Sequence, residues 1–298
     1  MTDQAGKLRD LVEERAEEVA AENEIGGVNF EIGDATRVIT VTSGKGGVGK
    51  TNFAVNLAVS LQTAGNRVLL IDADVGMANV NVLMGHVTNR SLLDLLDEDT
   101  ELESVVEEGV AGVKYISGVA GIEEVLGLNR YDRRMIHRKL ERCSELADIV
   151  IIDTGAGLNR YVIEFVLAAQ EVLLITTPEP TALADAYAVV KAYGKYTDKR
   201  SIKLIVNRIY DEEESKEVTD RLNQTTQKFL NMSVDCLGYI YEDRAVQKAV
   251  QNQEPFVLMS PESPAARCVK ELAKALITGE KQAKVSRGWR NFLQRLLD

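Results

Sequence analysis

The run Ser43-Gly44-Lys45-Gly46-Gly47-Val48-Gly49-Lys50-Thr51 fits the phosphate-binding pattern G-x-x-x-x-G-K-[ST], with a second lysine early in the loop. Glycines at this density let successive backbone N–H groups turn toward phosphate oxygens, and a helix beginning at the end of the loop adds its partial positive charge. Gly44, Lys45, Gly46, Gly47, Val48, Gly49, Lys50, Thr51 and Asn52 therefore make up an expected phosphate cradle. In it Lys50 neutralises the β- and γ-phosphates and the Thr51 hydroxyl ligates Mg²⁺. Lys45 stands apart: its own nucleotide is already served by Lys50. Carboxylates follow two apolar runs, Asp72 and Asp74 after Val68–Ile71 and Asp153 after Ile149–Ile152. Beside a threonine-bound metal, such groups can hold its waters and orient an attacking one. Taken alone, a pair of aspartates after a strand would serve equally as a turn or a helix cap.

The elements that must hold these residues are legible as apolar runs separated by helix-length polar segments. Val38–Val41, Val68–Ile71, Val113–Ile116, Ile149–Ile152, Val172–Ile175, Ile202–Val206 and Leu237–Ile240 read as strands, and 52–64 as the helix after the loop. Strands apolar on both faces predict an α/β fold: a three-layer, doubly wound, mainly parallel sheet with helices on both sides. Ligands of such sheets sit at the carboxyl ends of the strands, where the acidic and glycine-rich motifs fall. The chain divides into an acidic helical segment at 1–24, a linker at 25–36, the α/β domain at 37–278 and a basic tail at 279–298.

A net charge of −11 over 298 residues argues against DNA binding by the surface as a whole, although a local basic patch would escape that test. Cys143, Cys236 and Cys268 are far apart, which offers no zinc or iron–sulfur site and fits a reducing compartment. His86 and His137 are isolated. The sequence contains neither a membrane-length apolar run nor a secretory leader pattern, so a soluble protein is expected.

The loop K-G-G-V-G-K-T resembles that of the MinD/ParA family of ATPases, the P-loop NTPases of the SIMIBI class. The stretch Asp72 to Gly85 resembles switch I of its MinD members. The resemblance implies slow, Mg²⁺-dependent ATP hydrolysis by a homodimer that sandwiches two ATP molecules, with Lys45 reaching across to the partner's phosphates. It makes Asp74 the catalytic aspartate, alongside Lys45 and Lys50, and Asp72 and Asp153 metal-shell residues with Thr51. Val206-Asn207-Arg208 resembles the family's adenine-contacting motif, and the segment from Tyr239 to Val257 places Tyr241 and Glu242 by the base. ATP is expected over GTP because no N-K-x-D motif is present. Where MinD and ParA proteins have Asp-x-Pro-Ala-Gly, this chain has Asp153-Thr154-Gly155-Ala156-Gly157, which points to a related branch.

Both ends carry further signals. In the tail, Val285, Trp289, Phe292, Leu293, Leu296 and Leu297 share one helical face, and the last 18 residues are net +4. A basic helix with aromatic residues on its apolar face suits an anionic membrane surface, although it could also dock on the core. Residues 1–24 carry eight acidic and three basic side chains. Their opening, with Asp3, Gln4, Leu8 and Arg9, is similar to that of the FlhG branch (also called YlxH or FleN), whose members control flagellar number and placement. That resemblance implies an N-terminal segment that stimulates the FlhF GTPase, contacts with flagellar C-ring components, and a peripheral position on the cytoplasmic face of the cell membrane at the pole or at flagellar sites. Specific DNA binding is not expected. The rival readings are a MinD-type division-site regulator, a ParA-type DNA-segregation ATPase, and an iron–sulfur carrier disfavoured by the missing cysteine pair.

Overall fold

The computed structural model describes residues 36–74, 80–85, 90, 92–117, 130–140, 142–159, 162–163, 165–166, 169, 171–194 and 202–279. Asp3, Gln4, Leu8 and Arg9 lie outside these, as do Trp289, Phe292, Leu293, Leu296 and Leu297. The core is a sheet of β1 (Arg37–Ser43), β2 (Val68–Ala73), β3 (Glu107–Glu108), β4 (Lys114–Ile116), β5 (Ile149–Ala156), β6 (Glu171–Thr176), β7 (Ile202–Ile209) and β8 (Asp235–Tyr241). Their order is β3-β4-β2-β5-β1-β6-β7-β8. Every pairing is parallel except that of β3 with β4 at the edge. Each expected apolar run lies in one of these strands or overlaps it. β3 was not expected, because two glutamates carry no apolar signal.

The central strands are apolar on both faces because both are covered. Ile39, Val41, Leu70 and Ile151 pack into one cluster, while Leu69, Ile116 and Val150 pack into a second. Each fully buried aliphatic side chain contributes about 1.5–3 kcal/mol. α1 (Lys50–Thr63) runs back from the glycine loop and is buried on nearly every side, from Phe53 to Leu61. The remaining helices are α2 (Val80–Leu83), α3 (Arg130–Leu140), α4 (Cys143–Leu146), α5 (Pro180–Gly194), α6 (Glu212–Leu230), α7 (Arg244–Gln251), α8 (Phe256–Met259) and α9 (Pro264–Thr278).

Caps set where the later helices begin. Asp211 accepts from the Glu214 N–H at the start of α6, whose first turn, Glu212 to Glu214, is acidic as the helix dipole favours. Asp243 accepts from the Ala245 N–H at the start of α7 and, through its other oxygen, from the Ala265 N–H of α9. α9 opens with Ser263 as N-cap and Pro264 in its first turn, and closes at Gly279 in the left-handed conformation (φ 73°). At that closing end the Arg37 guanidinium, on the first residue of β1, donates to the Leu276 carbonyl at 2.7 Å. α9 therefore starts beside the carboxyl ends of the strands and finishes at their amino ends.

Candidate functional site

Strand register assembles the acidic cluster. Asp72 of β2 lies opposite Asp153 of β5, and Ser43, where β1 hands over to the glycine loop, lies opposite Ala156. The Lys50 ammonium bonds the Asp153 carboxylate at 2.8 Å and lies 3.6 Å from Asp74. Asp72 accepts from the backbone N–H groups of Asp74 and Val80, which fixes the turn after β2. Burial, reinforced by the charge of Asp153, pushes the Asp72 carboxyl up to about 7. Burial also raises Asp153, against the opposing pull of Lys50. Three carboxylates, two of them buried, thus gather around one lysine, and Asp153 Oδ2 is buried with no hydrogen-bond donor. This arrangement is short of positive charge, and a divalent cation fits it. Among the described residues no three His, Cys, Asp or Glu side chains form a closed cage. That matches Mg²⁺ in nucleotide sites, which takes one or two carboxylates and completes its shell with phosphates and water. Thr51, Asp72 and Asp153 are the residues that could hold one.

Two glycines of the loop are sterically required. A Cβ on Gly44 would stand 2.3 Å from the Asp185 backbone, so the loop and α5 touch main chain to main chain. Gly49 has φ 95°, and a Cβ there would meet the Asn207 amide nitrogen at 2.4 Å. Gly46 and Gly47 are open toward the space a phosphate would take, and α1 begins at Gly49 with its first N–H groups free for an anion. Gly155, which replaces the family's usual proline, lets Asp74 close in: its Cβ would lie 3.3 Å from Asp74 Oδ1. Gly157 (φ 91°) returns the chain to the loop by donating to the Ser43 carbonyl at 2.9 Å.

Beside the cradle is a cleft of about 170 Å³, with Phe53, Ile240, Val246 and Phe256 as apolar walls and Asn52, Asn207, Arg208, Tyr241, Glu242 and Asp243 as polar ones. Asn56, buried in α1, holds one wall in place by accepting from the Val257 N–H at 3.0 Å. Asn207 donates to the Val48 carbonyl at 2.7 Å and accepts from the Arg208 N–H. One amide hydrogen and one lone pair of Asn207 remain for a base edge. Arg208 adopts a left-handed backbone (φ 61°) and lies 3.8 Å from Glu242. Phe53 is a pocket residue that motif reading did not supply, its apolar type marking it only as core, whereas Ile240 and Phe256 fall within the segment from Tyr239 to Val257.

Lys45 is turned away from its own phosphate cradle. Its ammonium bonds Glu179 and the Thr181 hydroxyl, each at 2.8 Å, at the start of α5. Neither partner was expected from the sequence, since they lie more than 130 positions downstream. The only clue was a polar Glu-Pro-Thr run at the end of a strand.

A family profile described as the CobQ/CobB/MinD/ParA nucleotide binding domain matches residues 39–256. The chain is 37% identical to the antiactivator FleN of Pseudomonas aeruginosa, over 80% of this chain and 85% of FleN. It is 30% identical to the flagellum site-determining protein YlxH of Helicobacter pylori, over 88% and 90%. The chain is a MinD/ParA-family ATPase of the FlhG (FleN, YlxH) branch. Among solved structures it resembles MinD of the Aquifex aeolicus MinC:MinD cell division complex, with a TM-score of 0.67 and 26% identity over 85% of this chain and 99% of that one. It also resembles Pyrococcus horikoshii MinD, solved with Mg-ADP, with a TM-score of 0.64 and 27% identity over 81% and 96%. Among the described residues no helix is long and apolar enough to cross a membrane.

Proposed function

We propose that this ATPase is a spatial switch that regulates flagellar number and placement. ATP drives it into a homodimer that binds an anionic membrane surface, and hydrolysis returns it to a monomer. The observation that carries this reading is Lys45, a loop lysine held on Glu179 and Thr181 while Lys50 turns toward the carboxylates of the cradle. Such a residue is available to a second subunit's nucleotide. The similarity to FleN and YlxH supplies the flagellar context.

Hydrolysis needs little covalent work from the protein. The N–H groups of the loop and of α1 hold the phosphates in line, and Lys50 swings from Asp153 to the β- and γ-oxygens as the nucleotide enters. Asp74, beside Lys50, accepts hydrogen bonds from the attacking water and orients it at the γ-phosphorus. Mg²⁺ bound through Thr51, Asp72 and Asp153 supplies neutralisation of the phosphate charge. Phe53, Phe256 and Asn207, with Arg208, Tyr241 and Glu242, take the adenine.

We assign residues 1–24, with Asp3, Gln4, Leu8 and Arg9, to stimulation of an FlhF-type GTPase, 25–36 to a linker and 37–278 to the ATPase. Residues 279–298 form the membrane helix, anchored by Trp289, Phe292, Leu293, Leu296 and Leu297, and the ATPase domain contacts C-ring components. A peptide of residues 1–24 added to the purified GTPase tests the flagellar part of this reading. GTP turnover should rise, and Gln4→Ala should abolish the rise. No stimulation by the peptide or by the full chain would leave only a membrane-cycling ATPase of open pathway.

A further inference from the structure

An open groove of about 310 Å³ lies between the last turn of α1 and the last turns of α9, at the amino ends of the strands. α9 lines it with Lys270, Ala273, Lys274 and Ile277, and α1 contributes the neutral Thr63 and Ala64. Both lysines are exposed, and Ile277 is 46% exposed. Lys270 donates one ammonium proton to the Pro261 carbonyl at 2.9 Å and keeps two for a ligand. The sole carboxylate of α9, Glu271, is not part of the lining. Among the described residues the groove thus combines two exposed lysines, with no carboxylate in its lining, and the half-exposed Ile277.

Its position and its charge select the occupant. α9 ends at Thr278, one residue before the left-handed Gly279, so the tail leaves the core at the mouth of the groove. From Gly279 to the end that tail is net +3. A cationic segment is repelled by a lysine-lined groove, which calls instead for an anion carrying an apolar part. We propose that the groove seats an acidic phospholipid: Lys270 and Lys274 hold the headgroup phosphate, and Ile277 lies against the upper acyl chains. The ATPase core then touches the membrane directly and adds to the grip of the tail. This rests on the membrane reading above.

Flotation of the full chain with ATP and mixed phosphatidylcholine–phosphatidylglycerol vesicles tests the proposal. Two lysines at an anionic surface are worth about 30-fold in binding. The K270Q/K274Q double variant should lose about that factor with ATP turnover unchanged, and Ile277→Ser should also bind more weakly. Unchanged affinity of the double variant would overturn the proposal. So would tighter vesicle binding by Ile277→Ser, which would make the groove a seat that sequesters the tail's apolar face. Titrating the full chain with short-chain phosphatidylglycerol below its micelle concentration separates this inference from the membrane reading. Binding there that K270Q/K274Q abolishes, and that inorganic phosphate does not compete away, supports the seat even if wild-type protein fails to float with vesicles. Absence of such binding overturns it even if the tail anchors normally.

Discussion

At the scale of single residues, the site depends on two positions, one set by backbone conformation and close approach and one by an exposed ion pair. Gly49 must hold a positive φ while the Asn207 amide packs where a Cβ would go. Gly49→Ala therefore meets both a left-handed penalty of about 1–2 kcal/mol and a steric clash. The expected outcome is a lowered melting temperature with nucleotide affinity reduced by more than about tenfold, since a shift of ~1.4 kcal/mol in cradle geometry suffices for that factor. Isothermal titration against thermal melting would check it; retained affinity in a destabilised protein would mean that the loop tolerates displacement of Asn207. The second position is Lys45. Its bond to Glu179 is exposed and holds Glu179 below the usual carboxylate range, through the hydrogen bond first and the charge second. A contact this exposed is weak, which suits the release that the proposed dimer asks of Lys45. Removing it in Glu179→Ala should move ATP-dependent dimerisation to lower protein concentration, read by analytical ultracentrifugation, while monomer nucleotide affinity stays as it is.

At the scale of elements, the amino-end pole of the sheet is held by a charge cluster that motif reading passed over. Arg37 of β1 and Lys203 of β7 both pair with Glu171 of β6, Lys203 at 2.9 Å, and Arg37 also reaches the last turn of α9. Burial alone would raise the Glu171 carboxyl, yet the hydrogen bonds from Arg37 and Lys203 outweigh it and hold the group below its ordinary value. A carboxylate depressed in the folded state stabilises at pH values above its unfolded pKa, and that stability is lost as pH falls through the folded one. Glu171→Gln should therefore melt below wild type at neutral pH, and the gap should close on acidification past about pH 4. A gap independent of pH would assign the loss to packing. The strands were legible because each central one is an apolar run, and the phosphate loop because its glycines and lysines are fixed by chemistry at fixed spacing. β3 was not legible: Glu107 and Glu108 carry no apolar pattern, and charged residues on a short edge strand serve to discourage further pairing. The partners of Lys45 and Arg37 were hidden for another reason. Glu179, Thr181 and Leu276 are brought to them by the order of strands and the direction of α9, which spacing along the chain does not encode.

At the scale of the whole ATPase domain, the nucleotide and the start of the tail lie at opposite poles. The first turn of α9 is held by Asp243, which lines the nucleotide cleft, and its last turn by Arg37 on the first residue of β1. Its 15 residues span about 22 Å. Among the described residues the phosphate loop itself does not reach the point where residues 279–298 depart, although the far end of α1 does. If ATP controls membrane attachment across that distance, the economical route is through subunit number. Two tails on one dimer gain an effective concentration that one lacks, worth about 10²–10⁴ in avidity with no new contact. That argument has a separable consequence. Replacing residues 1–35 with a constitutively dimeric coiled coil, in a chain that carries Lys45→Ala, should restore vesicle binding without ATP, because the coil supplies the pairing that the lysine no longer can. Co-sedimentation with anionic vesicles, with and without nucleotide, would read it. Failure of the forced dimer to bind would instead require a conformational signal running along α9 from Ala265, which Asp243 holds, to Leu276, or along α1 from the phosphate loop to Thr63, and hydrogen exchange in those helices would then have to respond to ATP.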